Sequence, residues 1–228
     1  MVRLYIFVEG QTEQTFATNV LKPHLANFDV YMQAAILIAH AKKKGIIHRG
    51  GGRNYPPMKN DILRFLAQEK SPDVFFTTMI DLYALHADFP GQTESKKLLH
   101  LPNKRTETLE KAFAEDIDDS RFIPYIQLHE YEAYLFSEPE QFAFFYNHHH
   151  KEISALIDIA ATKSTPELIN DGPHSAPSKR IINQLPDYEN AKSVVGPQVA
   201  ELIGLKVIRS KCPHFDSWLS KLEKLEKE

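Results

Sequence analysis

A short apolar run, Leu4-Tyr5-Ile6-Phe7-Val8, stops abruptly at Glu9-Gly10 and passes straight into a polar, helix-forming stretch. A run apolar at every position suits a strand covered on both faces, as in a parallel sheet. A carboxylate directly after such a strand lies where open α/β sheets place their ligand crevices. The ending recurs. Val74-Phe75-Phe76-Thr77-Thr78-Met79-Ile80 closes on Asp81, and the apolar stretch 122–128 is followed by Glu130 and Glu132. Three strand ends that each deliver a carboxylate point to a divalent-cation site.

The spacing of the first half predicts strands over 3–8, 30–38, 73–80 and 122–128. Helices are expected over 14–25, 58–67 and 106–115, with Thr12 as the first helix's N-cap. This alternation implies an α/β fold, a mainly parallel sheet with right-handed crossovers. From Glu130 onward the pattern is helical: 132–136, 139–145, 151–160, 178–184, 197–203 and 215–224. Val195-Gly196-Pro197 reads as a turn between helices. The expected organisation is an α/β core over 1–136 and a helical C-terminal elaboration over 137–228. Two long loops, 40–57 and 82–102, have the length of functional segments.

The chain has 228 residues and a net charge of −3, so any attraction to nucleic acid must be local or carried by metal ions. Its single cysteine, Cys212, excludes an internal disulfide and fits a reducing compartment. No leader or spanning segment is visible, which points to a cytoplasmic protein with no membrane partner. His148-His149-His150 reads as a solvated run, because successive residues of a helix face apart.

Glu9, Glu13, Asp81 and Glu130 are the candidate catalytic and metal-binding residues, with Mg²⁺ or Mn²⁺ as the cofactor that suits an all-oxygen set. Glu13, four residues after Glu9, can share its crevice or simply favour the helix dipole. Asp88 is a further candidate. Lys42, Lys43, Lys44, Arg49 and Arg53 stand in a glycine-rich loop suited to phosphates, and Lys179 and Arg180 follow a helix start. The loop reads equally well as solvated surface.

The blocks Val8-Glu9-Gly10-Gln11-Thr12-Glu13, Thr77-Thr78-Met79-Ile80-Asp81 with Asp88-Phe89-Pro90-Gly91, and Leu128-His129-Glu130-Tyr131-Glu132 resemble the bacterial DUF4276 family. So do Asn170-Asp171-Gly172-Pro173, Ala176-Pro177-Ser178-Lys179-Arg180 and Cys212-Pro213-His214-Phe215-Asp216-Ser217-Trp218. The opening and the strand-end Asp also look like the Toprim fold of topoisomerases, primases and overcoming-lysogenization-defect nucleases. That resemblance implies one Glu after the first strand, matched by Glu9, and an Asp-x-Asp after the third. Asp81 matches the first Asp and Tyr83 replaces the second. The nuclease branch implies a further Glu four residues on, matched by Glu13. The resemblance thus implies a metal-dependent nuclease acting on DNA or RNA, with an ATPase partner in phage defence. A non-catalytic partner of an ATPase and a small-molecule phosphohydrolase are the competing readings.

Overall fold

In the computed structural model, residues 1–43, 46–49, 54–170 and 175–226 are described. Strand β1 (Val2–Val8) leads into helix α1 (Gln11–Phe16). A π-helical turn, Ala17–Leu21, joins α1 to α2 (Lys22–Ala26). Pro23 has no N–H for the carbonyl of Asn19, and the wider turn just before it absorbs that loss. Strand β2 (Val30–Leu37) follows, then an antiparallel hairpin, β3 (Ala39–Lys43) and β4 (Ile46–Arg49), and α3 (Tyr55–Gln68). Strand β5 (Val74–Asp81) runs into a 3₁₀ turn (Leu82–Ala84). Next come α4 (Gln92–Ser95), a second 3₁₀ turn (Lys96–Leu98) and α5 (Pro102–Ile117).

The segment expected as one strand over 122–128 is two short strands, β6 (Phe122–Ile123) and β7 (Ile126–Gln127). Pro124 interrupts them, since it cannot donate to a ladder. Thr78 of β5 repairs the gap: its hydroxyl accepts from the Tyr125 amide and lies 2.9 Å from the Tyr125 carbonyl. Thr77 Oγ1 likewise donates to the Ile123 carbonyl. These buried threonines therefore serve the sheet edge.

The sheet is parallel throughout, in the order β2-β1-β5-β6, with β7 also on β5. Side-chain alternation explains why β1 is apolar at nearly every position. Val2, Leu4, Ile6 and Val8 enter one core, and Tyr5 and Phe7 the other. The first core is closed by α1 and by the second-half helices, through Tyr134, Val199, Phe215 and Trp218. The second is closed by α3 and α5, through Ile62, Leu66, Leu109 and Phe113. Each such side chain contributes about 1.5–3 kcal/mol by leaving water.

The second half begins with 3₁₀ turns at Tyr131–Ser137 and Pro139–Phe144. It continues through α6 (His150–Ala161), a 3₁₀ turn (Pro166–Leu168), α7 (Pro177–Gln184) and α8 (Tyr188–Ile203) to α9 (Leu205–Lys211) and α10 (Pro213–Glu223). Helix α8 runs through Gly196-Pro197, correcting the turn expected there. Gly196 has no Cβ, so α8 approaches α1 and Tyr131 closely: an added Cβ would lie 2.8 Å from Tyr188 Oη and 3.5 Å from Thr12 Cγ2. Packing overrides the local preference to stop. The expected loop 40–57 contains the β3–β4 hairpin and the start of α3, and 82–102 is largely short helical turns. Cys212 is buried, its thiol pushed up by burial, 3.7 Å from Ser137 Oγ. Among the described residues no helix is long and apolar enough to cross a membrane.

Candidate metal centre

Parallel pairing sets the geometry. Val8 is in register with Met79, and Asp81 with Gln127, so β1, β5 and β7 end at one edge. Beyond β1 the chain stays extended at Gly10, the actual N-cap of α1. Thr12 is therefore not the cap. Glu13, at the third helical position, is buried and folded back, with its Oε2 where a Cβ on Gly10 would meet it at 2.9 Å. The backbone N–H groups of Glu13 and Gly10 face its carboxylate, as in one half of a capping box.

Three carboxylates then hold the segments that follow them. Glu9 Oε2 accepts from the Asp81 amide at 3.3 Å. Asp81 Oδ1 accepts from the Tyr131 amide at 3.1 Å. Glu130 Oε2 accepts from the Ser178 amide at 2.9 Å, at the start of α7. Glu130 is presented to this edge by His129, which takes a left-handed conformation with φ 66°. The His129 carbonyl also accepts from the Tyr83 amide at 3.2 Å.

A cleft of about 610 Å³ opens here, lined by Glu9, Asp81, Tyr83, His86, Glu130, Lys179 and Lys192, among others. Burial raises the Asp81 carboxyl well above the carboxylate range, and Glu9, Glu13, Glu130 and Glu132 reinforce the rise. Glu13 is pushed up to about 7 by burial, against its two backbone N–H groups and with Glu9 adding. Glu132 is pushed up to about 7 by burial, opposed by Lys192, whose Nζ lies 3.6 Å from Glu132 Oε1. Behind the cleft, the buried hydroxyls of Tyr131 and Tyr188 have no hydrogen-bond partner among the described residues.

Of the residues expected from sequence, Glu9, Asp81, Glu130 and Lys179 meet in the cleft. Glu13 lies behind it, because its carboxylate turns back to Gly10. Arg180 does not line it; its Nε donates to the Ser175 carbonyl at 2.7 Å. Asp88 is drawn away by His86 Nδ1, at 3.1 Å, and by the Tyr55 amide. Lys42, Lys43 and Arg49 fall in the β3–β4 hairpin, with side chains outside the described set, and Lys44 and Arg53 lie outside the described residues. Lys192 and His86 were not legible. Nothing local marks Lys192, which reaches the cleft only because α8 packs on α1.

Among the described residues no three His, Cys, Asp or Glu side chains converge on one point as a ready metal site. The donor set nonetheless fits a hard cation. It is all carboxylate oxygen, and Mg²⁺ sites commonly use only one or two carboxylates, with water and phosphate completing them.

A family model described as "Domain of unknown function (DUF4276)" matches residues 8–223. No curated protein matches. Among solved structures, the chain is similar to the C-terminal region of the Xanthomonas campestris pv. campestris OLD protein, at 14% identity over 97% of each chain with a TM-score of 0.38. A score of that size does not establish a shared fold.

Proposed function

The chain belongs to the DUF4276 family, and from that premise we propose that it is a metal-dependent nuclease hydrolysing phosphodiester bonds in DNA or RNA. One observation carries the reading. Glu9 and Asp81, at the ends of adjacent parallel strands, face an open cleft in which burial, with repulsion from the neighbouring carboxylates adding, drives the Asp81 pKa upward. Such mutual repulsion is what a bound cation relieves.

Glu9 and Asp81 would hold Mg²⁺ or Mn²⁺, with Glu130 beside them. The ion, when bound, would supply Lewis-acid stabilisation of phosphoryl charge and an activated water. The chain's own groups do the rest. Lys179 and Lys192 flank the carboxylates and orient a phosphate by charge. Glu130, held by the Ser178 amide, keeps one oxygen for a water. Glu13 braces the start of α1 from behind. Lys42, Lys43, Lys44, Arg49, Arg53 and Arg180 belong to the same reading as backbone contacts away from the reacting phosphate. An ATPase partner and a role in phage defence extend it.

A second reading, a non-catalytic partner of an ATPase, is favoured by two observations. Glu9, Asp81 and Glu130 already accept from backbone amides, and Tyr83 stands where a further carboxylate would complete an Asp-x-Asp. Calorimetric titration with Mn²⁺ and cleavage assays on plasmid, RNA and nucleotide substrates separate the two. Glu9→Gln and Asp81→Asn should each lose Mn²⁺ binding and cleavage while staying folded. Wild-type cleavage by Asp81→Asn would end the nuclease reading, and a wild type that neither binds Mn²⁺ nor cleaves supports the partner reading.

A further inference from the structure

The cleft wall continues into a cationic surface. His86 lines the cleft, and its carbonyl accepts from the side chain of buried Gln92 at 3.1 Å. Gln92 begins α4, which passes into the 3₁₀ turn Lys96–Leu98 and then the start of α5. Lys96, Lys97, His100 and Lys104 are exposed along this stretch. Hydrogen bonds from the Leu101 amide to Leu98 and from the Arg105 amide to Leu101 keep it compact.

Three features show that the charge here is unanswered. Helix α5 has 16 residues, no side-chain cap at Leu101 and no acid in its first turn. Its first N–H groups therefore carry uncompensated positive character. Among the described residues Lys96, Lys97 and Lys104 form no ion pair, although Glu94 and Glu107 flank them in sequence. Arg105 is the strongest case. Arg3, Arg64, Arg121 and Arg209 are all paired with carboxylates. Arg105 is partly buried with its Nε fully buried, and that Nε has no acceptor among the described residues. A buried donor left without an acceptor costs about 1–3 kcal/mol, and no carboxylate among the described residues offsets the charge of this guanidinium.

We propose that Lys96, Lys97, Lys104 and Arg105, gathered at the uncapped start of α5, bind the phosphates of a nucleic-acid backbone whose strand continues into the cleft. The assignment rests on the nuclease reading for its polymer and on this surface for its place. Arg105, partly buried, is the anchor, and the three lysines add charge along the strand. Leu99 and Leu101, 63% and 38% exposed, lie within the same patch.

Fluorescence anisotropy of labelled single-stranded and duplex oligonucleotides tests this in EDTA, where cleavage cannot intervene. The Lys96→Glu/Lys97→Glu variant should lose about tenfold in affinity, and its salt slope should fall by about 1 for each lysine. Arg105→Gln should weaken binding and Arg105→Lys should restore part of it. Lys221→Glu, on α10, should match wild type. Should Arg105→Gln fail to fold, the exposed lysines still decide the matter. Unchanged affinity and slope in Lys96→Glu/Lys97→Glu would overturn the assignment, even for an enzyme that cleaves. So would a wild type that binds neither oligonucleotide, or one that prefers anionic vesicles. Loss of cleavage in Asp81→Asn with oligonucleotide binding intact would leave this surface standing on its own.

Discussion

The carboxylate of Glu130 caps a helix to which it does not belong: its Oε2 lies 2.9 Å from the backbone nitrogen of Ser178 in the first turn of α7. The helix's own N-cap is Ala176, which has no side-chain acceptor to offer. Glu130→Ala should therefore cost about 1–2 kcal/mol, the size of a lost cap. Glu130→Gln keeps an acceptor oxygen and removes a repelling charge, so it should cost much less. Urea midpoints measure both, and equal losses would contradict the capping role.

Stability should fall as pH rises between about 4.5 and 7. Glu13 moves from an ordinary value of 4.5 to about 7 in the folded chain, and Glu132 does the same. The folded state then holds more protons across that window. The stabilisation is complete below the unfolded value and is lost as pH passes the folded one. For Glu13 alone the change is on the order of 3 kcal/mol. Glu13→Gln should flatten the slope and raise stability at neutral pH. Thermal unfolding across pH measures this, and a slope unaltered by the substitution would contradict it.

Gly196→Ala would ordinarily gain about 1 kcal/mol of helix propensity. Here the new methyl would meet the Tyr188 hydroxyl at 2.8 Å within a buried cluster. Overpacking of this kind costs about 1–3 kcal/mol, so the variant should be destabilised overall. A raised melting temperature would show that the ring has room to move.

His214 should produce a separate pH limb. Its Nε2 is 3.1 Å from both Glu110 Oε1 and the Ile126 carbonyl, and Glu110 also accepts from the Ile126 amide. Burial disfavours the charged ring, but the Glu110 hydrogen bond, with Glu110 and Glu167 as neighbouring charges, outweighs it and raises the pKa. The stability it contributes is full below the ordinary histidine value of about 6.5 and is lost as pH rises through the higher folded value. His214→Gln should abolish this alkaline limb and leave the Glu13 limb in place. Hydrogen exchange at the Ile126 amide offers a local readout.

The sheet was legible in the sequence because β1 and β5 are buried on both faces and show it as unbroken apolar runs. The same runs announced Glu9 and Asp81 by where they stopped. The edge strand reads as continuous in the sequence because its repair, by Thr78 Oγ1 on Tyr125, is a cross-strand event that local patterning does not carry. Gly196-Pro197 has the composition of a turn, yet burial against α1 keeps the helix going. Glu13 had two readings, and only the folded backbone shows that its carboxylate turns back to Gly10. Lys192 and Arg105 look like ordinary surface cations until tertiary packing reveals which of them finds an acid.

The break at Pro124 has a consequence for how copies of this chain meet. An open edge invites another strand when it offers a continuous row of free N–H and C=O groups. Here that row is cut into β6 and β7, two residues each, with an imide nitrogen between them. The short pieces cannot template a foreign strand, so strand pairing between copies would have to use the opposite border, β2, instead.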